Sequence, residues 1–454
     1  MRRISSRTRH GATALACGLG LSLMLTACGG DDNGDTGSDA KGGDTDCADF
    51  KQYGDLKGKT VSIYTSIITP EDKPHIDSYK PFEDCTGATI KYEGSKEFEA
   101  QLPIRIEAGN PPDLAYLPQP GSLRTLVAQF PDKFVKAPAA VAKNVDENWD
   151  PAWKDYGSVD GTFYAAPLGS NVKSFVWYSP SMFEENGWEI PKTMDELMTL
   201  TDTIAKKGIK PWCAGIGSGD ATGWPLTDWL EDFMLRTAGP DIYDQWQTHE
   251  IPFNDPQVAT ALDGVGDILK NEDYVNGGLG GVKTIASTEF QEGGIPIISG
   301  DCALHRQASF YGSNFAEAGA EIGEEKDVFA FYLPAETADE KPVLVAGEFV
   351  AAFADRPEVA AFQAYLSSTE WVDIKAPLST GWVSANKNAD PEGFKNPIDK
   401  LSVEIIQDPN AVTRFDASDL MPGAVNTEFW RQMTDWITGK STTQALDAIE
   451  KSWP

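Results

Sequence analysis

The chain has 454 residues, 41% apolar, 24% charged and 10% aromatic, a composition that builds a globular protein with a large core and excludes a disordered one. Its 69 acidic against 38 basic residues give a formal charge of -31, which argues against a sequence-blind phosphate binder and against docking on anionic lipid through a basic face, since both rest on Lys and Arg. Typical domain size predicts two or three domains, and the one long apolar run lies at the N-terminus, so a polytopic membrane protein is excluded.

The chain opens on an address. Arg2, Arg3, Arg7 and Arg9 precede an apolar stretch from Gly11 to Ala27, short for a bilayer span of about 20 residues but fit for an export signal. Residues 1–27 therefore read as a signal peptide. Arg2-Arg3 hints at the twin-arginine route, but Ser5 and Ser6 stand where that signal carries apolar residues, which favours general secretion. Leu25-Thr26-Ala27-Cys28 looks like a bacterial lipobox: small residues admit the peptidase, and Cys28 takes the lipid and becomes the mature N-terminus. Residues 28–46 are rich in Gly and Asp and read as a flexible acidic tether, spanning roughly 20–25 Å. Asp31, Asn33 and Asp35 imitate a calcium loop, but Thr36 replaces its required Gly and Gly42 its Glu. With Cys17 in the signal and Cys28 lipidated, Cys47, Cys85, Cys213 and Cys302 remain. In an oxidising compartment that even number suggests two disulfides, in any of three connectivities, and no CxxC spacing supports a metal.

Further on, Lys59–Thr65 reads as a β-branched strand. A helix follows, with apolar Ile76, Tyr79 and Phe82, ending near Gly87. Ala88–Glu93 is a second strand. Lys96–Ala108 is a helix with Phe98, Leu102 and Ile106 on one face, and Leu114–Leu117 is a third strand. The order β-α-β-α-β predicts a doubly wound α/β unit, with ligands held beyond the carboxyl ends of the strands. Those ends are Ser66, Ser95 to Glu97 and Pro118 to Gly121. The same grammar restarts after the turn Asp160-Gly161, with strands at Phe163–Pro167 and Ser174–Tyr178. Thr193 and Glu196 form a capping box over a helix. Pro211–Ile216 is a strand, Gly217–Gly223 a glycine-rich loop, and Trp224-Pro225 opens a helix running to Gly239. Asp255-Pro256 opens another. Cys302–His305 and Val343–Phe353 read as strands, the latter with Gly347 inside it, and Pro357–Leu366 as a helix.

Nothing in the sequence is a positive sign of catalysis. His75, His249 and His305 show no metal-binding spacing, and no nucleophile elbow is present. Gly54–Thr60 imitates a phosphate loop but precedes its strand and reads as a turn. Neither a metal nor a cofactor is expected. The aromatic residues are the better clue. Most belong to the core, but Trp224 sits where a glycine-rich loop meets a helix. Pyranose rings pack a C–H face on indole while their hydroxyls pair with carboxylate, amide and guanidinium groups. The same strand ends offer Glu97, Asp113, Gln119, Arg306 and Glu348, with a structural turn as the equal alternative for Asp113.

Lipobox and tether, Pro111-Pro112-Asp113-Leu114, Gly161–Pro167, Trp177-Tyr178, Pro191–Leu197 and Gly223-Trp224-Pro225-Leu226 together resemble extracellular solute-binding family 1, the carbohydrate-binding lipoproteins of ABC importers. Cys302–Tyr311 and Gly347–Phe353 resemble its alpha-glucoside branch. The resemblance implies two doubly wound α/β lobes joined by a multi-crossing hinge, with sugar held between them and no turnover. Lobe one would be 47–165 and 341–377, and lobe two 170–335 and 383–454. Disulfides kept within a lobe would then be Cys47–Cys85 and Cys213–Cys302. Trp224 matches the family's stacking tryptophan. Asp113 matches an acidic residue after a Pro-Asp turn, and Phe310 falls at a second stacking position. Ser66, Gln119, Asn171, Arg306, Glu348 and Trp382 lie on cleft-lining segments. The partners implied are a sugar, the permease subunits with their cytoplasmic ATPase behind them, and the membrane through the lipid on Cys28. A monomer on the outer face of the cytoplasmic membrane is expected. An exported glycoside hydrolase and a binder of peptides or polyamines are the alternatives.

Overall fold

The computed structural model describes residues 47–454. The expected signal peptide, Cys28 and the tether through residue 46 lie outside the described residues. The first unit follows the predicted order. Strand β1 (Thr60–Thr65) is followed by helix α1 (Asp72–Thr86), β2 (Thr89–Gly94), α2 (Phe98–Glu107) and β3 (Leu114–Leu117). Helix α1 stops at Gly87, whose φ of 77° turns the chain left-handed while its N–H donates to the Glu83 carbonyl. It buries His75, Tyr79 and Phe82. Ile76 was expected on that face but is 43% exposed, because one residue's step turns it about 100° around the helix from His75. Helix α2 buries Phe98, Leu102 and Ile106, as their spacing requires.

The rest of the chain adds strands β4 (Ala165–Pro167), β5 (Asn171–Val172), β6 (Phe175–Tyr178), β7 (Lys210–Cys213), β8 (Val275–Asn276), β9 (Cys302–Arg306), β10 (Phe329–Tyr332), β11 (Lys341–Ala346), β12 (Phe349–Ala352) and β13 (Ala411–Phe415). Two five-stranded sheets result, in the orders β2-β1-β3-β12-β4 and β8-β7-β9-β6-β10. Each has three parallel strands, then two that each run antiparallel to the neighbour before. The fourth strand of each comes from outside the local order: β12 returns to the first sheet after the second is built, and β6 precedes the parallel strands of the second. Exchanging these strands forces the chain to cross between the sheets. A three-stranded sheet, β13-β11-β5, carries the crossings.

One expected strand is corrected here. Val343–Phe353 is not continuous but splits into β11 and β12, in different sheets, on either side of Gly347-Glu348. The reason is steric. A Cβ at Gly347 would overlap the carbonyl oxygen of Gly169, so two crossings stack backbone to backbone. Leu168 N–H donates to the Glu348 carbonyl (2.8 Å), and Ser170 N–H to that of Val383 (2.8 Å), adding a third crossing. Gly347→Ala is expected to cost about 1–3 kcal/mol by overpacking this junction; an unchanged urea midpoint would refute the steric account. Phe163–Pro167 is likewise two pieces. Thr162–Phe163 closes a hairpin with Ser158–Val159 over the Asp160-Gly161 turn, and only β4 enters the sheet.

Cys47 is bonded to Cys85 and Cys213 to Cys302, with Cα atoms 5.4 and 5.6 Å apart. These are the pairings the resemblance implied. The first ties the chain to the last turn of α1, and the second joins the neighbouring parallel strands β7 and β9. No helix among the described residues is long and apolar enough to cross a membrane.

Candidate functional site

Parallel strands deliver their carboxyl ends to one region. Beyond β1 lies Ser66, beyond β3 Gln119, and beyond β7 the loop to Gly223. Gly223 enters helix α3 (Trp224–Thr237) with φ of 113°, and a Cβ there would overlap the Trp430 carbonyl. Only glycine therefore lets the chain turn Trp224 into the first helical position. The ring of Trp224 meets Phe290 edge-on, with centroids 5.0 Å apart, and Phe310 at 6.0 Å. These three rings form one wall of a cavity of ≈ 150 Å³, which Ser66, Gln119, Asn171, Lys173 and Glu348 also line. Lys173 Nζ lies 5.4 Å from the centre of the Trp224 ring.

Beneath the cavity runs a buried ion network. Lys173 Nζ donates to Asp228 (2.8 Å) and Asp416 (2.5 Å). Arg306 reaches Asp228 at 3.1 Å and grips Asp232 with two nitrogens, and Arg236 meets the other oxygen of Asp232 at 2.6 Å. Asp228, Asp232 and Arg236 sit four residues apart on α3, which aligns them on one face. Burial pushes Asp228 up to about 6 against the pull of Lys173 and Arg306. Burial also opposes the charge on Asp416, but Lys173 more than reverses it and holds that carboxyl at about 2. Asp416, Ser418 and Asp419 reach the cavity from the segment after β13.

A second cavity of ≈ 260 Å³ adjoins the first and shares Ile67, Glu71, Asn171, Phe310 and Glu348 with it. Burial, with Glu348 adding repulsion, raises Glu71 to about 8, and burial lowers Lys375 to about 7. On the first cavity, burial raises Glu99 to about 7. Asn171 Oδ1, Gln291 Oε1 and Trp430 Nε1, all on residues lining the first cavity, are buried with no protein partner. Such atoms are costly unless a ligand or water satisfies them. At the rim, Lys96, just beyond β2, pairs at 2.6 Å with Glu289, which lies beside Gly217 beyond β7.

Of the residues expected from sequence, the structure brings Ser66, Gln119, Asn171, Trp224, Phe310 and Glu348 together around the first cavity and puts Trp382 on the second. Three lie elsewhere. Asp113 precedes β3, at the amino end of the sheet, where its carboxylate accepts from Ser62 N–H (2.9 Å) and Oγ (3.0 Å) and pairs with Arg356 (2.6 Å). Arg306 is 2% exposed and committed to its two aspartates. Glu97 is exposed at the rim beside Asp220, whose shared hydrogen bond raises its carboxyl. Sequence reasoning missed Glu71, Glu99, Lys173, Asp228, Asp416, Asp419 and Lys375. Only Lys173, a cation between two apolar strands, had a local signal. Among the described residues no cluster of His, Cys, Asp and Glu is arranged to hold a metal.

Residues 59–373 match the model of bacterial extracellular solute-binding proteins. The osmoprotective compounds-binding protein GgtB of Synechocystis sp. is 40% identical over 90% of this chain and 96% of its own. The alpha-glucosides-binding periplasmic protein AglE of Rhizobium meliloti is 39% identical over 89% of each. In fold, the chain is similar to the bacterial solute receptor AcbH (TM-score 0.72, 18% identity, 87% of this chain and 98% of that one). It is likewise similar to maltose-bound T. maritima MalE3 (TM-score 0.67, 16% identity, 86% and 98%).

Proposed function

Since this chain belongs to the family of bacterial extracellular solute-binding proteins, we propose that it is the sugar receptor of an ABC importer, taking an alpha-glucoside or a related oligosaccharide. The observation that carries this reading is the wall of Trp224, Phe290 and Phe310 facing carboxylates and amides in one cavity. A pyranose offers an apolar C–H face to the rings and hydroxyls to Glu348, Asn171 and Gln119. The named ligands of AglE favour the alpha-glucoside class.

The receptor binds and does not turn over its ligand. Sugar bridges lobe one (47–165 and 341–377) and lobe two (170–335 and 383–454), and its greater affinity for the closed state shifts the hinge equilibrium. The crossings at Leu168–Ser170, Gly347-Glu348 and Val383 act as that hinge. The closed form then docks on the permease. Calorimetry with maltose, trehalose and sucrose on the mature protein tests the reading. Binding without release of free glucose supports it; hydrolysis, or binding of putrescine and peptides in place of any sugar, overturns it.

Cys28 anchors the receptor through its lipid to the outer face of the cytoplasmic membrane. Two or more acyl chains hold a protein firmly where one holds it marginally. Cys28→Ser is expected to release the protein to the medium or leave it unprocessed. Membrane fractionation equal to wild type, with the same mature N-terminus, would refute the anchor.

A further inference from the structure

Loops beyond the two sheets meet at the rim of the first cavity, and each is firmly held. Ser95, Lys96 and Glu97 leave β2, with Ser95 N–H donating to the Thr65 carbonyl (2.9 Å) and Glu97 N–H to Ser95 Oγ (3.1 Å). Opposite them, the turn Ser218–Thr222 after β7 is tied by the Thr222 hydroxyl, which accepts from Ser218 N–H (3.0 Å) and donates to the Gly219 carbonyl (2.6 Å). Glu289 is pinned between Thr288 and Phe290, whose backbones both bond Gly217 (2.8 and 2.9 Å). Gly219 has φ of 55°, and a Cβ on it would lie 2.9 Å from the Lys96 carbonyl oxygen and 3.4 Å from a Glu97 carboxylate oxygen.

Two charge contacts of opposite sense cross this rim. Lys96 Nζ pairs with Glu289 at 2.6 Å. An exposed ion pair is weak chiefly because two long side chains must be held in place and water screens them. Here both backbones are already fixed, and a pair that spans a joint contributes to only one of its two states. Glu97 instead meets Asp220, a second carboxyl. Their shared hydrogen bond, then the charge of Asp220, raises the Glu97 carboxyl. Asp220 also faces Glu99, which burial raises to about 7. Two carboxyls share a hydrogen bond only with a proton between them, so bringing them together takes one up. Closing is therefore favoured as pH falls towards the ordinary carboxyl range and opposed as pH rises through the raised value. Glu97, Gly219, Asp220 and Glu289 line neither cavity.

We propose that this rim is a latch on lobe closure, in which Lys96 and Glu289 hold the lobes together while Glu97 and Asp220 oppose closing until they share a proton. Sugar affinity is then set in part by three carboxyls that do not reach the sugar, and the latch tightens in mild acid. The inference rests on the reading of the chain as a sugar receptor that closes about its hinge.

The test is calorimetry with the tightest binder among maltose, trehalose and sucrose. Glu289→Lys should weaken binding about 5-fold by setting two ammonium groups against each other. Lys96→Glu combined with Glu289→Lys should bind more tightly than either single variant, a coupling that holds even though Lys96 also lines the cavity. Glu97→Gln removes the repulsion without needing a proton. At pH 8 it should bind about 2-fold tighter than wild type, which a merely loosened rim would not do. In two buffers of different ionisation enthalpy at pH 6, wild type should take up more protons on binding than Glu97→Gln. That difference separates the rim from Glu71, Glu99 and Lys375, which titrate in both proteins. These are surface changes, so without sugar each variant should melt within about 2 °C of wild type. A double variant no tighter than the singles, or equal proton uptake, overturns the latch and leaves the sugar reading standing. Failure of every sugar to bind overturns both.

Discussion

Replacing Arg306 with Met should lower the unfolding free energy by about 3–5 kcal/mol, because it leaves a buried charge uncompensated. The network beneath the cavity balances Lys173, Arg236 and Arg306 against Asp228, Asp232 and Asp416. Glu231 beside it stays neutral, since burial and then the charge of Asp416 push its carboxyl well above the usual range. Without Arg306, Asp228 keeps Lys173 as its one cation, and Asp232 keeps Arg236 with the Ser174 hydroxyl. Asp228 already sits at about 6 through burial, so it is expected to take up a proton in the variant. A carboxyl whose folded pKa lies above its unfolded value loses stability as pH rises towards the folded pKa. Moving that pKa higher extends the loss upward, so the deficit should be larger at pH 8 than at pH 5. Adding Asp228→Asn removes the orphaned charge and should recover part of the stability. Urea unfolding of the single and double variants at both pH values decides it. A single variant within about 1 kcal/mol of wild type, with no gain in the double, would show that the pair is not coupled.

The first α/β unit is readable from sequence because its signals are local. The β-branched run at Thr60–Thr65, the helix spacing of Phe98, Leu102 and Ile106, and the Gly87 stop each act within a few residues. Val343–Phe353 defeats that reading. An apolar run looks the same whether it stays in one sheet or passes to another, and only Gly347 marks the change. Asp113 failed for a reason already present in its position. It precedes Leu114, so it belongs to the amino end of β3, away from where such sheets bind ligands. The site residues that were missed come from far apart. Lys173 and Asp416 are 243 residues apart, and Lys173 and Asp228 55. No spacing rule joins them; the strand exchange between sheets does. Trp224 was visible because one loop and one helix start set its position.

That position makes Trp224→Ala the sharpest test of the binding site. The indole is half-buried and closes a wall with Phe290 and Phe310. A sugar has little apolar surface apart from its C–H face. Covering that face with indole also keeps water from the hydroxyl bonds beside it. Truncating an aromatic anchor of this kind is expected to cost about 2–4 kcal/mol of binding, roughly 30-fold to 1000-fold in affinity. The loss should exceed that from removing any single carboxylate on the cavity. Trp224 also packs on its neighbours, so the unliganded variant should lose some stability, but only about 1–2 kcal/mol, less than for a fully buried ring. Trp224→Phe keeps an aromatic face and should retain most of the affinity. Calorimetry with the tightest sugar, at a temperature where each variant is fully folded, separates binding from packing. If Trp224→Ala binds as wild type does while its unliganded form loses several kcal/mol, the ring is a core residue. The sugar platform would then have to lie elsewhere on the cavity.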